Sequence, residues 1–312
     1  MVLNRRVWGA VVVLGVLAAC APGPGRAPQV GSTATTTAAA QAAPASPVEV
    51  PDPALEQEFA RLEAKHDARL GVHAVDTGSG RSVAYRADER FAYASTFKAL
   101  AAAVVLDTTT PAQLDEVVRF TKADLLPNSP ISRQWVATGM TWRELCDAAV
   151  RYSDNTAGNL LLRRVGGPAG LDAALVAIGD DVTSVDQYEP ELNSAEPGNP
   201  RDTSTPRALA HDMRQFALGD ALAEDDRAVF VDWLRRNTTG DNVIRAGVPA
   251  GWVVGDKTGS AYYGGRNDMA VVWPPGRASI VIAVLTSRAQ PQAKRVDALV
   301  VDAARVVVRA LG

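Results

Sequence analysis

Tyr93-Ala94-Ser95-Thr96-Phe97-Lys98-Ala99-Leu100 opens a run of small and aliphatic residues that continues to Leu106. From Ser95 onward the run has no Gly or Pro and is rich in Ala and Leu, which predicts a buried helix over 95–106. Positions three apart share a helix face, so the Lys98 amine stands one turn above the Ser95 hydroxyl. A helix start adds unpaired N–H groups and partial positive charge at Ser95, where an attacked carbonyl would develop negative charge. Burial lowers a lysine's pKa and lets it accept a proton near neutral pH. The two residues therefore read as nucleophile and base. Taken alone they fit a plain structural reading at least as well, with Ser95 capping a core helix and Lys98 snorkelling out of it, so the rest of the chain has to decide.

Toward the N-terminus, Arg5 and Arg6 precede an apolar segment over 7–19, the layout of an export signal and too short to span a membrane permanently. It ends in Leu17-Ala18-Ala19-Cys20, which resembles a bacterial lipoprotein signal with Cys20 lipidated and made the mature N-terminus. The expectation is an exported protein anchored to the outer face of the cytoplasmic membrane, with Sec and twin-arginine routes both open. After the signal over 1–19, residues 20–52 hold the lipidated Cys and an Ala, Pro, Thr, Gly and Ser-rich tether with hardly a charge, unable to bury enough surface to fold.

The remaining stretch, about 260 residues, suffices for one large or two small domains with real cores. The net charge of −3, or −5 once Arg5 and Arg6 leave with the signal, has no long run of one sign, and no nucleic-acid partner is expected. With Cys20 lipidated, Cys146 is the only thiol left, so no internal disulfide is expected. His66, His73 and His211 have no metal-ligand spacing, and neither metal nor cofactor is expected.

An amphipathic helix is predicted over 55–70, then two strands over 70–76 and 82–86 joined by Thr77-Gly78-Ser79-Gly80 as a hairpin. Helical patterns follow over 95–106, 111–120, 141–152, 155–165, 168–178, 206–218 and 225–236, and Thr141 with Glu144 has the spacing of a capping box. Strands resume over 252–257, 268–273 and 279–285, and a helix over 293–311 closes the chain. The economical arrangement is a five-stranded, mostly antiparallel sheet built from both chain ends, 53–92 and 236–312, and flanked by the terminal helices. An all-α domain over 93–235 is inserted between its second and third strands. A cleft between these layers is the natural site.

Three more stretches fall at that cleft. Ser153-Asp154-Asn155 breaks two helices; Glu189-Pro190-Glu191-Leu192-Asn193 lies in an irregular segment over 180–205; Lys257-Thr258-Gly259-Ser260 ends a strand, where Gly259 would let a ligand approach the backbone. Each alone has a dull explanation. In this order, with Ser95-x-x-Lys98, the set resembles the class A serine β-lactamases over about residue 55 to the C-terminus.

The resemblance implies a two-domain fold and hydrolysis of the β-lactam ring of penicillins and cephalosporins, giving antibiotic resistance. Ser95 attacks the lactam carbonyl, and the backbone N–H groups of Ser95 and Ser260 hold the oxyanion. Ser153 passes a proton to the leaving nitrogen, with Lys98 connecting the two hydroxyls. Asn155 donates to the substrate's side-chain amide. Lys257, Thr258, Ser260 and Arg266 bind the carboxylate on the second ring. Glu189, positioned with Asn193, activates the water that frees Ser95, while Lys98 and Glu189 both stay open as the acylation base. A monomer with a small-molecule substrate is expected. Penicillin-binding transpeptidases and β-lactam sensors share Ser-x-x-Lys and Lys-Thr-Gly but stay trapped as acyl-enzymes. Glu189 separates the hydrolase from that alternative. The Glu189-Pro190 bond is a candidate for cis, which costs an X-Pro peptide only about 0.5–1 kcal/mol.

Departures from the family bear on specificity. Many members pair an Arg two residues before the catalytic Glu with an Asp at the far end of the same loop; here Asp202 is present but Gln187 replaces the Arg. Either Asp202 has another partner or the loop is looser. Asn128 stands where many members place an aromatic gatekeeper. Ala94 and Ala261 exclude a disulfide found in some carbapenem-hydrolysing members, and Ala102 leaves Cys146 without the partner it has in others. Asp154 is read as holding its turn, Glu144 as capping its helix and supporting that turn, and Trp252 as core. Tyr262 and Tyr263 are left open between lining the cleft and covering the strand edge.

Overall fold

Alternation along Ile280–Ser287 orients the sheet: Ile280, Ile282 and Val284 belong to one apolar cluster, Val281, Ala283 and Leu285 to another. A period of two with both faces apolar means a strand covered on both sides. The computed structural model describes residues 48–49 and 52–312; the expected export signal, Cys20 and nearly all of the expected tether lie outside the described residues.

The sheet runs in the order Val48–Glu49, Arg81–Tyr85, Arg69–Asp76, Ile280–Ser287, Arg266–Trp273, Val253–Ser260. The five strands expected from both chain ends are all present and pair antiparallel. The sixth, Val48–Glu49, pairs parallel with Arg81 and Ser82, so the tether expected to run to residue 52 lends two residues to the sheet edge.

One face is covered by the terminal helices Pro53–His66 and Asp297–Leu311, which bring Phe59, Leu299, Ala303 and Val307 onto Leu70, Val72, Val272 and Ile282. The first helix starts where Asp52 accepts from the N–H groups of Ala54 and Leu55 at 2.9 and 3.3 Å. It ends at His66, short of the predicted 70, because Asp67 turns left-handed (φ 49°) and Arg69 already begins a strand. Trp252 is half-buried against this cluster.

The other face carries Pro206–Ala217, whose Leu209, Met213 and Phe216 meet Met269, Val271 and Leu285 in the core of the helical part. Gly71 is required here, since a Cβ would stand 2.5 Å from the Phe91 ring and 2.8 Å from Pro206. Phe97–Thr108 runs through the centre of this core with Phe97 to Leu106 all buried. The helix predicted to begin at Ser95 begins with a 3-10 turn, Ala94–Thr96. The helix predicted over 111–120 is confined to Pro111–Leu114, because the β-branched Val117 and Val118 pair with Thr141 and Met140. The capping box at Thr141 and Glu144 is formed, with Thr141 N–H donating to Glu144 at 2.8 Å.

Candidate active site

The end of Val253–Ser260 lies against the start of the central helix. A Cβ on Gly259 would stand 2.7 Å from the Tyr93 carbonyl and 3.2 Å from Ala94 and Thr96, so this glycine serves the packing of strand on helix start rather than the approach of a ligand. That contact sets the strand end that carries Ser260 against the 3-10 turn that carries Ser95. Ala94 is left-handed (φ 52°), a strained geometry that only surrounding bonds can hold. Asn267 supplies them, donating to the carbonyls of Ala92 and Tyr93 at 2.7 and 3.1 Å and accepting from the Thr286 N–H at 3.1 Å.

Lys98, with no exposed surface, donates to Ser95 Oγ at 2.8 Å, Asn155 Oδ1 at 2.5 Å and the Ser153 carbonyl at 3.1 Å, and lies 2.8 Å from Glu189 Oε1. Its room comes from Gly158, where a Cβ would stand 2.7 Å from Lys98 Cε. Burial lowers the Lys98 pKa below the usual lysine value, and the Glu189 carboxylate opposes that shift. Ser95 Oγ donates to Glu189 Oε1 at 3.1 Å. The nucleophile candidate thus touches an amine and a carboxylate at once.

Ser153 is left-handed (φ 55°). Asp154 points away and holds the turn, accepting from the Ile131 and Ser132 N–H groups at 3.0 and 2.9 Å, the Ser132 hydroxyl at 2.6 Å and the Ala157 N–H at 3.0 Å. Glu144's hydrogen bonds are those of its own capping box. Ser153 Oγ accepts from Lys257 Nζ at 3.1 Å. The expected bridge from Lys98 to both hydroxyls is therefore shared: Lys98 takes the Ser153 carbonyl and Lys257 its hydroxyl. Burial first, then the Lys98 charge, push the Lys257 pKa well below the usual lysine value.

Glu189 is buried, precedes a cis peptide to Pro190, and has its second oxygen bonded by the Asn193 amide. Its backbone is held on both sides by Asn159, which accepts from the Glu189 N–H at 2.8 Å and donates to the Glu189 carbonyl at 2.9 Å. Asn193 Oδ1 is buried without a donor among the described residues. The Asn193 carbonyl accepts from the Tyr262 N–H at 3.0 Å, while the Tyr262 ring is exposed. Asp202 has found other partners: it accepts from the Asp186 and Gln187 N–H groups at 3.0 Å, the Gln187 amide at 3.0 Å and the Tyr93 hydroxyl at 2.9 Å.

On the facing strand Arg266 stands opposite Ser260, donating to its hydroxyl at 3.3 Å and pairing with Asp297 at 2.7 Å. Thr258 and Thr239 hydroxyls meet at 2.6 Å. Asn128, left-handed (φ 58°) and exposed, borders the Ser153 turn through its carbonyl, which accepts from Asn155 N–H at 3.1 Å. Cys146 is a buried free thiol, its pKa raised by burial.

The model of the Beta-lactamase enzyme family matches residues 54–311. A class A β-lactamase of Clostridium kluyveri superposes with a TM-score of 0.82 at 47% identity, over 83% of this chain and 99% of its own. This chain belongs to that family, in its class A branch. A β-lactamase of Amycolatopsis lactamdurans is 75% identical over 270 residues, 86% of this chain and 89% of that one. One from Bacillus amyloliquefaciens is 55% identical over 252 residues, 81% and 82% of the two chains. The Streptomyces albus G β-lactamase superposes with a TM-score of 0.81 at 47% identity, over 83% of this chain and 100% of that one.

Around this β-lactamase's motif residues stand others that sequence reading missed: Asn159, Gly158, Asn267, Thr239 and Arg295, whose guanidinium lies 3.4 Å from Ser260 Oγ. For Asn159 a signal exists, because it lies four residues after Asn155 on one helix, Asn155–Arg164, and so shares its face.

Proposed function

We propose that this chain opens the β-lactam ring of penicillins and cephalosporins by hydrolysis through an acyl-enzyme on Ser95, and so protects its host from these antibiotics. Ser95 Oγ attacks the carbonyl and loses its proton to one of the two groups it touches, Lys98 or Glu189. The Ser95 and Ser260 N–H groups receive the oxyanion, and Ser153, held by Lys257, protonates the departing nitrogen. Asn155 spends its oxygen on Lys98 and keeps its NH₂ for the substrate's side-chain amide. Lys257, Thr258, Ser260 and Arg266 take the ring carboxylate.

The observation that carries hydrolysis over mere capture is Glu189, buried 3.1 Å from Ser95 Oγ with Asn193 beside it. The donorless Asn193 Oδ1 suits the O–H of a water that Glu189 would deprotonate against the acyl carbonyl. A transpeptidase or sensor needs no such pair. Mass spectrometry after mixing with a penicillin tests the assignment. Glu189→Ala should retain one penicilloyl group on the peptide bearing Ser95, and Ser95→Ala none; an adduct elsewhere would overturn it.

The Cys20 lipid anchor, export to the outer face of the cytoplasmic membrane and a monomeric state belong to the same proposal. The anchor and the export rest on the sequence before residue 48; among the described residues no helix is long and apolar enough to cross a membrane. Labelled palmitate should enter the wild type and not Cys20→Ala.

A further inference from the structure

Two guanidinium groups converge on one atom at the edge of the site. Arg266 Nη1 lies 3.3 Å and Arg295 Nη1 3.4 Å from Ser260 Oγ. They differ in what else they touch. Arg266 is nearly buried and its charge is answered by Asp297 at 2.7 Å. Arg295 is exposed and forms no ion pair with any carboxylate among the described residues. The segment that neutralises Arg266 through Asp297 thus brings a fresh cation two residues earlier.

The third cation at this end, Lys257, is buried, and both its burial and Lys98 disfavour its protonated form. A guanidinium stays charged throughout the working pH range. We propose that Arg295 is a specificity-determining residue of the ring-carboxylate subsite, supplying its unneutralised positive charge and favouring β-lactams that carry an anionic group on the second ring. This rests on the reading above that Lys257, Thr258, Ser260 and Arg266 receive that carboxylate.

An exposed charge a few ångströms from its partner alters affinity modestly and through salt-sensitive attraction. Arg295→Ala should raise KM for a cephalosporin about three- to ten-fold, leave kcat within about twofold, and flatten the fall of kcat/KM with added salt. Arg295→Lys should recover much of the KM, and the same cephalosporin as its neutral methyl ester should not distinguish Arg295→Ala from wild type. Arg266→Ala is measured in parallel. An unchanged KM in Arg295→Ala beside a raised KM in Arg266→Ala overturns the role of Arg295 and leaves the subsite. A penalty as large on the ester as on the acid overturns the charge argument. No effect on KM from either variant overturns the carboxylate subsite itself, and Arg295 with it.

Discussion

At the scale of single residues the site is a problem of fitting a lysine into a core. Desolvating an ammonium is costly, and Lys98 is tolerated because Ser95, Asn155, Ser153 and Glu189 surround it with acceptors. The space is made by Gly158, although a glycine inside a helix costs about 0.5–1 kcal/mol against alanine. Gly158→Ala would regain that propensity, but its methyl must displace the Lys98 stem. The expected outcome is a stability change within about 1 kcal/mol and a fall in kcat of tenfold or more, read by denaturant melts beside steady-state kinetics. Asn159 plays a similar part for Glu189. Removing both of its bonds should cost about 1–3 kcal/mol of stability. On the proposal that Glu189 serves deacylation, a misplaced carboxylate in Asn159→Ala should also make acyl-enzyme accumulate during turnover, visible by quenched-flow mass spectrometry.

Elements show what was legible and what was not. The Ser-x-x-Lys helix, the Ser-Asp-Asn turn and the Lys-Thr-Gly strand could be read because their chemistry is written in residue type and spacing. Gly158 and Asn267 escaped because they act through empty volume and backbone carbonyls, which no motif spells; Asn159 had only its place on the Asn155 face, since its bonds go to the Glu189 main chain. Val48–Glu49 escaped because edge pairing is made by main chain and needs no side-chain alternation. The helix over 111–120 was overpredicted because its second half is claimed by Met140–Thr141, a partner outside any local window. For the loop over 180–205, Gln187 left two outcomes open. The hydrogen bonds that converge on Asp202 decide for a firmly held loop. Hydrogen exchange should find Gln187 N–H nearly as protected as the helices around it. Asp202→Ala should erase that protection and cost about 2–4 kcal/mol, since several buried donors lose their acceptor together.

At the scale of the whole molecule, a sheet and a helical core meet at the cleft, and what holds them also sets the response to pH. Asp212, on the helix that packs across the sheet, is fully buried with no donor to either oxygen among the described residues. Burial, and then the Asp180 carboxyl, push its pKa well above the usual carboxylate range. The folded chain keeps a proton there that the unfolded chain gives up. The stability tied to that proton is whole below the ordinary carboxylate pKa and is lost as pH rises through the raised folded value. Asp212→Asn needs no such proton. Denaturant melts should therefore show the wild type falling behind the variant across that window, by up to about 1.4 kcal/mol per pH unit; parallel curves would contradict the assignment. On the proposed assignment, turnover draws its nucleophile, Ser95, from the turn that opens the central helix and its water-activating carboxylate, Glu189, from the loop over 180–205. The most direct measurement is burst and steady-state kinetics with a chromogenic cephalosporin, wild type beside Glu189→Ala. Continuous turnover in the wild type and a burst of one equivalent followed by near arrest in the variant are predicted. A burst of one equivalent in both would make this chain a trap for β-lactams and contradict hydrolysis.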